Sequence, residues 1–301
     1  MPGPTGQLTF DTSNPPSHGV AEALAEGLVR LTAPNAGPYT FSGTNTFILG
    51  DSELAIVDPG PNSDAHLDAI LATVAGRPVR GILLTHTHID HSALVPRLAR
   101  YTGAPVWCGG PHRLSRGLRP FEINLLAGAS DWLIQPDRVF YDGERVFVGD
   151  VKLEIITTPG HAANHLAFGI VGTPYLLTGD HVMGWNSTLV AVPDGSMRAY
   201  LASLKKVIAS PYTAYVPAHG GIIADGPNFA RALLAHREKR NRQIIDAVTL
   251  GDRSIAALRR RLYPRLSGPV ARAARMTLQA HVEYLAEEGL IRDGLSGLRP
   301  V

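Results

Sequence analysis

Apolar positions along the chain alternate between two periods. Residues 27–32 and 44–50 and the run Leu54–Val57 are short, apolar and bounded by Gly, Ser or Asp, which predicts strands. Gly50-Asp51-Ser52 would join the last two as a hairpin, and Asp58-Pro59-Gly60 stops the run. The spacing then lengthens. Leu67, Ile70, Leu71 and Val74 mark one face of a helix that Asn62 or Ser63 can cap. Residues 79–84 return to a strand, and Leu94, Val95, Leu98 and Tyr101 predict a second helix, closed by Gly103. Strands follow at 104–108, 138–141, Arg145–Val148, Val151–Thr157, 166–171, 175–178 and 213–216, with a helix over Met197–Ala209. Residues 229–250 predict a long charged helix. The last fifty residues read as helices at Ile255–Leu262 and 270–288 (the latter continuous or broken), a turn at Gly289 and a short strand. Residues 1–20, rich in Pro, Gly, Ser and Thr, read as an arm over the surface. Between 109 and 136, Gly, Pro and Arg interrupt every apolar pattern, and this length suits a lid or substrate-contact loop.

The strand ends carry the chemistry. The strand at 79–84 runs into Thr85-His86-Thr87-His88-Ile89-Asp90-His91, three imidazoles and a carboxylate within seven residues. Three later strands stop at turns with a His or Asp: Thr158-Pro159-Gly160-His161, Gly179-Asp180, and Pro217-Ala218-His219-Gly220. Glycine at such turns lets the backbone bend sharply or approach an ion. Neutral imidazole and carboxylate are the ligand set of zinc and its neighbours. The tally is His86, His88, Asp90, His91, His161, Asp180 and His219, enough for two metals with an open position at each.

Composition adds three constraints. The apolar and charged fractions are those of a soluble globular protein, with no run of ~20 apolar residues to span a membrane. No basic stretch followed by an apolar core opens the chain, and Cys108, alone, cannot form an internal disulfide; a cytoplasmic location is expected. Cys108 itself reads as a small core residue. The net charge of +2 hides an asymmetry: residues 1–227 hold 14 Lys and Arg against 19 Asp and Glu, and residues 228–301 hold 14 against 7. A basic tail on an acidic body predicts separate modules, and either an anionic partner or helices simply rich in exposed Arg.

His86-Thr87-His88-Ile89-Asp90-His91 matches the H-x-H-x-D-H signature of the metallo-β-lactamase fold superfamily of dinuclear metal hydrolases, and His161, Asp180 and His219 match its later ligands in order. The chain resembles that superfamily over roughly residues 25–225. Thr157-Thr158-Pro159-Gly160-His161 with His165, the segment from Leu177 to Gly184 and the helix containing His236-Arg237 look like its β-lactamase-like protein 2 group. One departure is Ser92-Ala93-Leu94, where that group usually has a glycine pair; the ligands are intact, but the packing of the following helix is in question. The resemblance implies an αββα sandwich over 1–227 and a long helix plus a small winged-helix-like domain over 228–301. It implies one metal on His86, His88 and His161, a second on Asp90, His91 and His219, and Asp180 bridging. The metals would be zinc, with Mn2+ or Fe2+ as alternatives. It places Asp58, at the end of Leu54–Val57, in hydrogen-bond contact with the metal loop.

Two divalent cations lower the pKa of a shared water, so hydroxide is available near neutral pH without a Ser or Cys nucleophile. Asp90 has two candidate roles, ligand and proton shuttle. The resemblance implies a hydrolase of esters, thioesters or single-stranded RNA. A β-lactam or lactone hydrolase is the alternative, and Asp180, where many true β-lactamases carry Cys or lack a bridging acid, disfavours the lactam. The rival of another class is a nucleic-acid-binding regulatory protein with a non-catalytic metal core, against which the complete ligand set argues. A two-iron redox role is a further alternative, but no flavin-binding domain follows. A membrane partner is not expected; a homo-oligomer is left open. Of the remaining histidines, His165 has the spacing to orient a ligand, His181 to line the pocket and His236 to pack or contact substrate, whereas His18, His66, His112 and His281 read as surface or core.

Overall fold

A computed structural model describes residues 8–13, 15–294 and 297–301. The first sheet has seven strands whose spatial order follows the chain: β1 (Glu22–Ala25), β2 (Leu28–Thr32), β3 (Asn45–Leu49), β4 (Leu54–Val57), β5 (Val79–Leu83), β6 (Val106–Cys108) and β7 (Arg138–Val139). β1 to β4 pair antiparallel, and β4 to β7 pair parallel. Parallel neighbours need crossovers, supplied by α1 (Asp64–Val74) between β4 and β5, and by α2 (Ile89–Ser92) and α3 (Val95–Thr102) between β5 and β6. Of the two expected caps, Ser63 holds α1, its hydroxyl accepting from the His66 amide at 3.4 Å.

The second sheet contains β8 (Arg145–Val148), β9 (Val151–Thr157), β10 (Leu166–Ile170), β11 (Tyr175–Gly179) and β12 (Ala214–Pro217), lying side by side in the order 12-11-10-9-8. Its one parallel pair, β11 and β12, is connected through α4 (Met197–Ala209).

Strand alternation explains the layering. Phe47, Leu49, Ala55, Val57 and Leu83 point inward against Leu153, Ile155, Leu166 and Phe168 of the facing sheet. Their neighbours Ile48, Leu54, Ile56 and Ile82 point outward onto Leu67, Ile70 and Leu98 of α1 and α3. On the far side Ile156, Ala167 and Leu176 meet Tyr200 and Leu204 of α4. Strands buried on both faces read as continuous apolar runs rather than alternating ones. The result is the expected αββα sandwich.

The chain continues through α5 (Gly226–Thr249), α6 (Ile255–Leu262), α7 (Gly268–Glu287) and the antiparallel pair β13 (Ile291–Gly294) and β14 (Gly297–Pro300). α5 serves two cores. Ala230 and Leu233 pack on the second sheet, whereas Ile244, Ala247 and Val248 join Leu258, Leu278, Val282 and Ile291 in a separate C-terminal cluster. The expected division at 227/228 therefore falls in the first turn of a helix shared by both parts. α7 is continuous, which settles the two readings of 270–288. Tyr101 is exposed, so the buried face of α3 is narrower than its spacing predicts. The strand expected at 138–141 shrinks to Arg138–Val139, and the interrupted segment 109–136 forms one 3-10 turn, at Ala127–Ala129. Leu118, Phe121, Ile123 and Leu125 in that segment are exposed. No described helix is long and apolar enough to cross a membrane.

Candidate metal centre

Both sheets deliver their strand ends to one point. β5 leads into His86 and His88, with Asp90 and His91 on α2; β9, β11 and β12 lead into His161, Asp180 and His219. All seven residues come together. Three overlapping groups have ligand atoms within 4.8 Å of one another: His86, His88 and His161; His86, His91 and Asp180; and Asp90, His91 and His219. His88 Nδ1 lies 3.0 Å from His86 Nε2 and 2.9 Å from His161 Nε2. His219 Nε2 lies 3.2 Å from Asp180 Oδ1 and 3.4 Å from Asp90 Oδ2, and His91 Nε2 lies 3.4 Å from Asp90 Oδ2 and 3.7 Å from Asp180 Oδ1. Asp180 reaches the other group as well, its Oδ2 being 3.5 Å from His161 Nε2. Ligands about 2.1 Å from a tetrahedral zinc stand about 3.4 Å apart, so these spacings are in the range of metal ligands.

The second nitrogen of each imidazole is tied elsewhere. His86 Nδ1 donates to Thr85 Oγ1 at 3.0 Å, His88 Nε2 to Asp194 Oδ2 at 2.8 Å and His91 Nδ1 to Asp58 Oδ2 at 3.0 Å. His161 Nδ1 donates to the Leu189 carbonyl at 2.7 Å, and His219 Nδ1 to the Gly43 carbonyl at 3.1 Å. Each bond leaves the ring's other nitrogen facing the cluster, the position from which a neutral imidazole ligates a cation. His91 Nε2, His219 Nε2 and Asp180 Oδ1 are buried with no hydrogen-bond partner. Orphaned buried acceptors are costly, and a cation among them removes the cost.

Charge divides the cluster. Burial, then the neighbouring imidazoles, pushes His86 well below its ordinary range, and burial with His88 pushes His161 to about 4. Burial pushes His219 down too, but Asp180 and Asp90 outweigh it and raise the imidazole to about 10. Asp90, Asp180 and Asp58 likewise overcome the burial of His91 and raise it well above the ordinary range. Burial would raise the Asp90 and Asp180 carboxyls, yet His91 and His219 hold both well down. Uptake of a cation at the carboxylate-rich group would therefore displace protons from His91 and His219, and would be favoured as pH rises.

The surrounding contacts extend this pattern. Asp58 is fully buried at φ 49°, a left-handed position that Asp tolerates better than most residues. Its carboxylate accepts from the Thr85 amide and hydroxyl, each at 2.7 Å, as well as from His91. His165 turns away from the lone pairs: Nδ1 donates to Thr158 Oγ1 at 2.8 Å, and Nε2 accepts the Asp180 amide at 3.1 Å. It thus fixes the backbone of Asp180 rather than an imidazole. Gly179 permits this approach, since a Cβ there would stand 2.6 Å from His165 Nε2. His181 is buried with both nitrogens unpartnered, packed edge-on to Tyr200.

Asp194 and His112 are not legible in the sequence as part of this network. Asp194 is wholly buried between His88 Nε2 and His112 Nε2, the latter 3.0 Å from its second oxygen. These two imidazoles outweigh burial and keep its carboxyl well below the usual range. It lies 106 residues from His88, on a loop with no ligand motif. The segment 109–136 reaches the centre through His112 and also elsewhere: Ser115 donates to the Asp194 carbonyl at 2.8 Å, and the Asp131 amide to the Thr87 carbonyl at 2.8 Å.

The sequence profile of the Metallo-beta-lactamase superfamily matches residues 39–219. An atrochrysone carboxyl ACP thioesterase of Paecilomyces divaricatus is 32% identical over 75% of this chain and 66% of its own length. A beta-lactamase-like protein 2 homolog of Caenorhabditis elegans is 27% identical over 74% of this chain and 72% of its own. The chain thus spans about two thirds of the length of these curated relatives. The crystal structure of a metallo-beta-lactamase family protein from Thermus thermophilus superposes with a TM-score of 0.75 at 26% identity, covering 93% of this chain and 100% of that one. The fold and the His/Asp cluster define a metallo-beta-lactamase-like hydrolase. The chain belongs to the metallo-beta-lactamase superfamily, and within it is similar to beta-lactamase-like protein 2.

Proposed function

We propose that the chain is a dinuclear metal-dependent hydrolase acting on an acyl ester or thioester. The observation that carries this reading is the set of five imidazoles whose outward N–H groups are all tied, leaving five inward nitrogens converging on two carboxylates. His86, His88 and His161 would hold one divalent ion; Asp90, His91 and His219 would hold the other, with Asp180 between them. Zinc suits these nitrogen and carboxylate donors, with Mn2+ or Fe2+ as alternatives. Two such ions would supply a nucleophilic hydroxide at neutral pH and a Lewis acid for the scissile carbonyl. Asp90 is the site carboxylate most open to solvent, 27% exposed against 9% for Asp180, which supports a role in accepting or returning a proton. Asp58, Asp194 and His165 would position the site: the first two orient His91 and His88, and the third orients Asp180.

The thioester follows from the thioesterase relative, the broader ester class from the shared chemistry. A phosphodiester such as single-stranded RNA is the second reading. It is favoured by the basic surface of α6, where Arg259, Arg260 and Arg261 adjoin, and by the winged-helix-like order of α6, α7, β13 and β14. The test is a panel of acyl-CoA thioesters, lactones, a chromogenic β-lactam and single-stranded RNA, with wild type and Asp90→Ala. Thioester cleavage that Asp90→Ala lowers by about 100-fold or more is expected. Cleavage at full rate in Asp90→Ala would place the chemistry elsewhere.

A further inference from the structure

A cavity of about 310 Å³ lies between the loop after β11 and the outer face of α7. Its wall is mostly apolar, including Tyr39, Met183, Trp185, Leu189, Leu266 and Val270, and a cation stands within it: Arg237 of α5. That side chain is only 3% exposed. One of its terminal nitrogens donates to the Thr188 carbonyl, its guanidinium lies 5.3 Å from the Tyr200 ring centre, and its Nε has no partner. No carboxylate among the described residues pairs with it. His236, Arg240 and His281 add positive or positively polarised groups beside it, close enough for Arg237 to help push both imidazoles down. A buried guanidinium without a counter-ion is costly. A second buried donor on the same wall, Trp185 Nε1, also lacks an acceptor. Leu189, which lines the cavity, is the residue whose carbonyl holds His161. The cavity therefore shares a wall with the metal centre.

We infer that this cavity binds the remote part of the substrate, an apolar acyl or aromatic body bearing a carboxylate that pairs with Arg237. The inference rests on the hydrolase reading for the word substrate, but not for the binding itself. The size suits a small molecule rather than a polymer. One cation in a mostly apolar wall, with no lysine among its lining residues, matches a monoanion better than a phosphate dianion.

The test is calorimetric binding of 2-naphthoate, 2-naphthamide and 2-naphthyl phosphate to the metal-loaded protein, with metal content measured for every variant. Naphthoate is expected to bind at least about 10-fold more tightly than the isosteric amide. That preference should fall below about 3-fold in Arg237→Gln at unchanged metal content, and persist in part in Arg237→Lys. Because Arg237 also holds Thr188, Trp185→Phe provides a variant that removes only one donor; it too should weaken naphthoate more than naphthamide. A carboxylate preference that survives Arg237→Gln would assign the anion to the metals and overturn the inference. Tighter binding of the phosphate than of naphthoate would overturn the choice of carboxylate. Arg237-dependent naphthoate binding in a protein that cleaves no thioester would leave this site standing and remove the proposed function instead.

Discussion

At the scale of single residues, the centre is set by what lies behind each imidazole. Asp194 offers the cleanest case, because it touches no other candidate ligand than His88 and is wholly buried. Removing it leaves the His88 N–H without an acceptor and frees the ring to rotate. Asp194→Ala is expected to weaken metal affinity by about 10–100-fold with all seven candidate ligands intact. Competition with a chromophoric chelator measures this, and an unchanged affinity would show that the Leu189, Gly43 and Thr85 contacts suffice to set the cluster. The candidate ligands are legible in the sequence because each sits at the end of an apolar run with a Gly or Pro turn. Asp194 is not, because its loop has no such punctuation and its partner is distant in the chain. His112 reads as surface or core for the same reason, yet it is buried against Trp132 and Asp194.

At the scale of elements, the segment 109–136 lacks regular structure yet is pinned. Arg116 donates to Glu122 at 2.6 and 2.7 Å and to Glu283 of α7 at 2.7 and 2.8 Å, tying the segment to the C-terminal helices. Glu283 is nearly buried, so loss of the guanidinium leaves its carboxylate with Arg119 at 3.3 Å and the Gln279 amide at 3.4 Å. Arg116→Ala is expected to destabilise by about 1–3 kcal/mol and to open the segment around exposed Phe121 and Leu133. Chymotryptic cleavage there should quicken several-fold under native conditions; an unaltered rate would mean that the contacts of His112, Ser115 and Asp131 hold the segment without Arg116. Its irregularity is foreseeable from its Pro and Gly content, but its attachment is not. A long ion pair between residues 116 and 283 leaves no periodic trace. α7 begins two residues before its apolar pattern, because Gly268 and Pro269 fall in its first turn, where both are tolerated, and Gly289 follows its end.

For the whole molecule, buried neutral histidines make stability depend on pH. His66 is fully buried beneath α1, its ring against the Thr46 hydroxyl at 2.8 Å, and burial pushes it down to about 4. His181 is pushed to about 3, and His281 well below its ordinary range, mainly by burial. In the unfolded chain each titrates near 6.5. Below that pH the unfolded state gains protons that the folded state refuses, so stability falls as pH drops from about 6.5 toward 4 and is flat in these groups above it. His66 alone contributes about 2 kcal/mol to the difference between pH 7 and pH 5. Urea unfolding of the metal-free protein at both pH values checks this. His66→Gln should shrink the difference by about that amount; an equal difference in both proteins would assign the acid sensitivity elsewhere. The sandwich itself is legible almost throughout, since strands buried on both faces leave unbroken apolar runs. The shared role of α5 is not, because one amphipathic stripe cannot say which of two cores each half of a helix meets.

The central claim is that seven side chains from four strand ends form a two-metal centre. Elemental analysis after zinc loading and exhaustive dialysis tests it most directly. About two zinc ions per chain are expected in the wild type, with a marked loss in His219→Ala and in Asp180→Ala. Fewer than one ion per chain in the loaded wild-type protein would contradict the account.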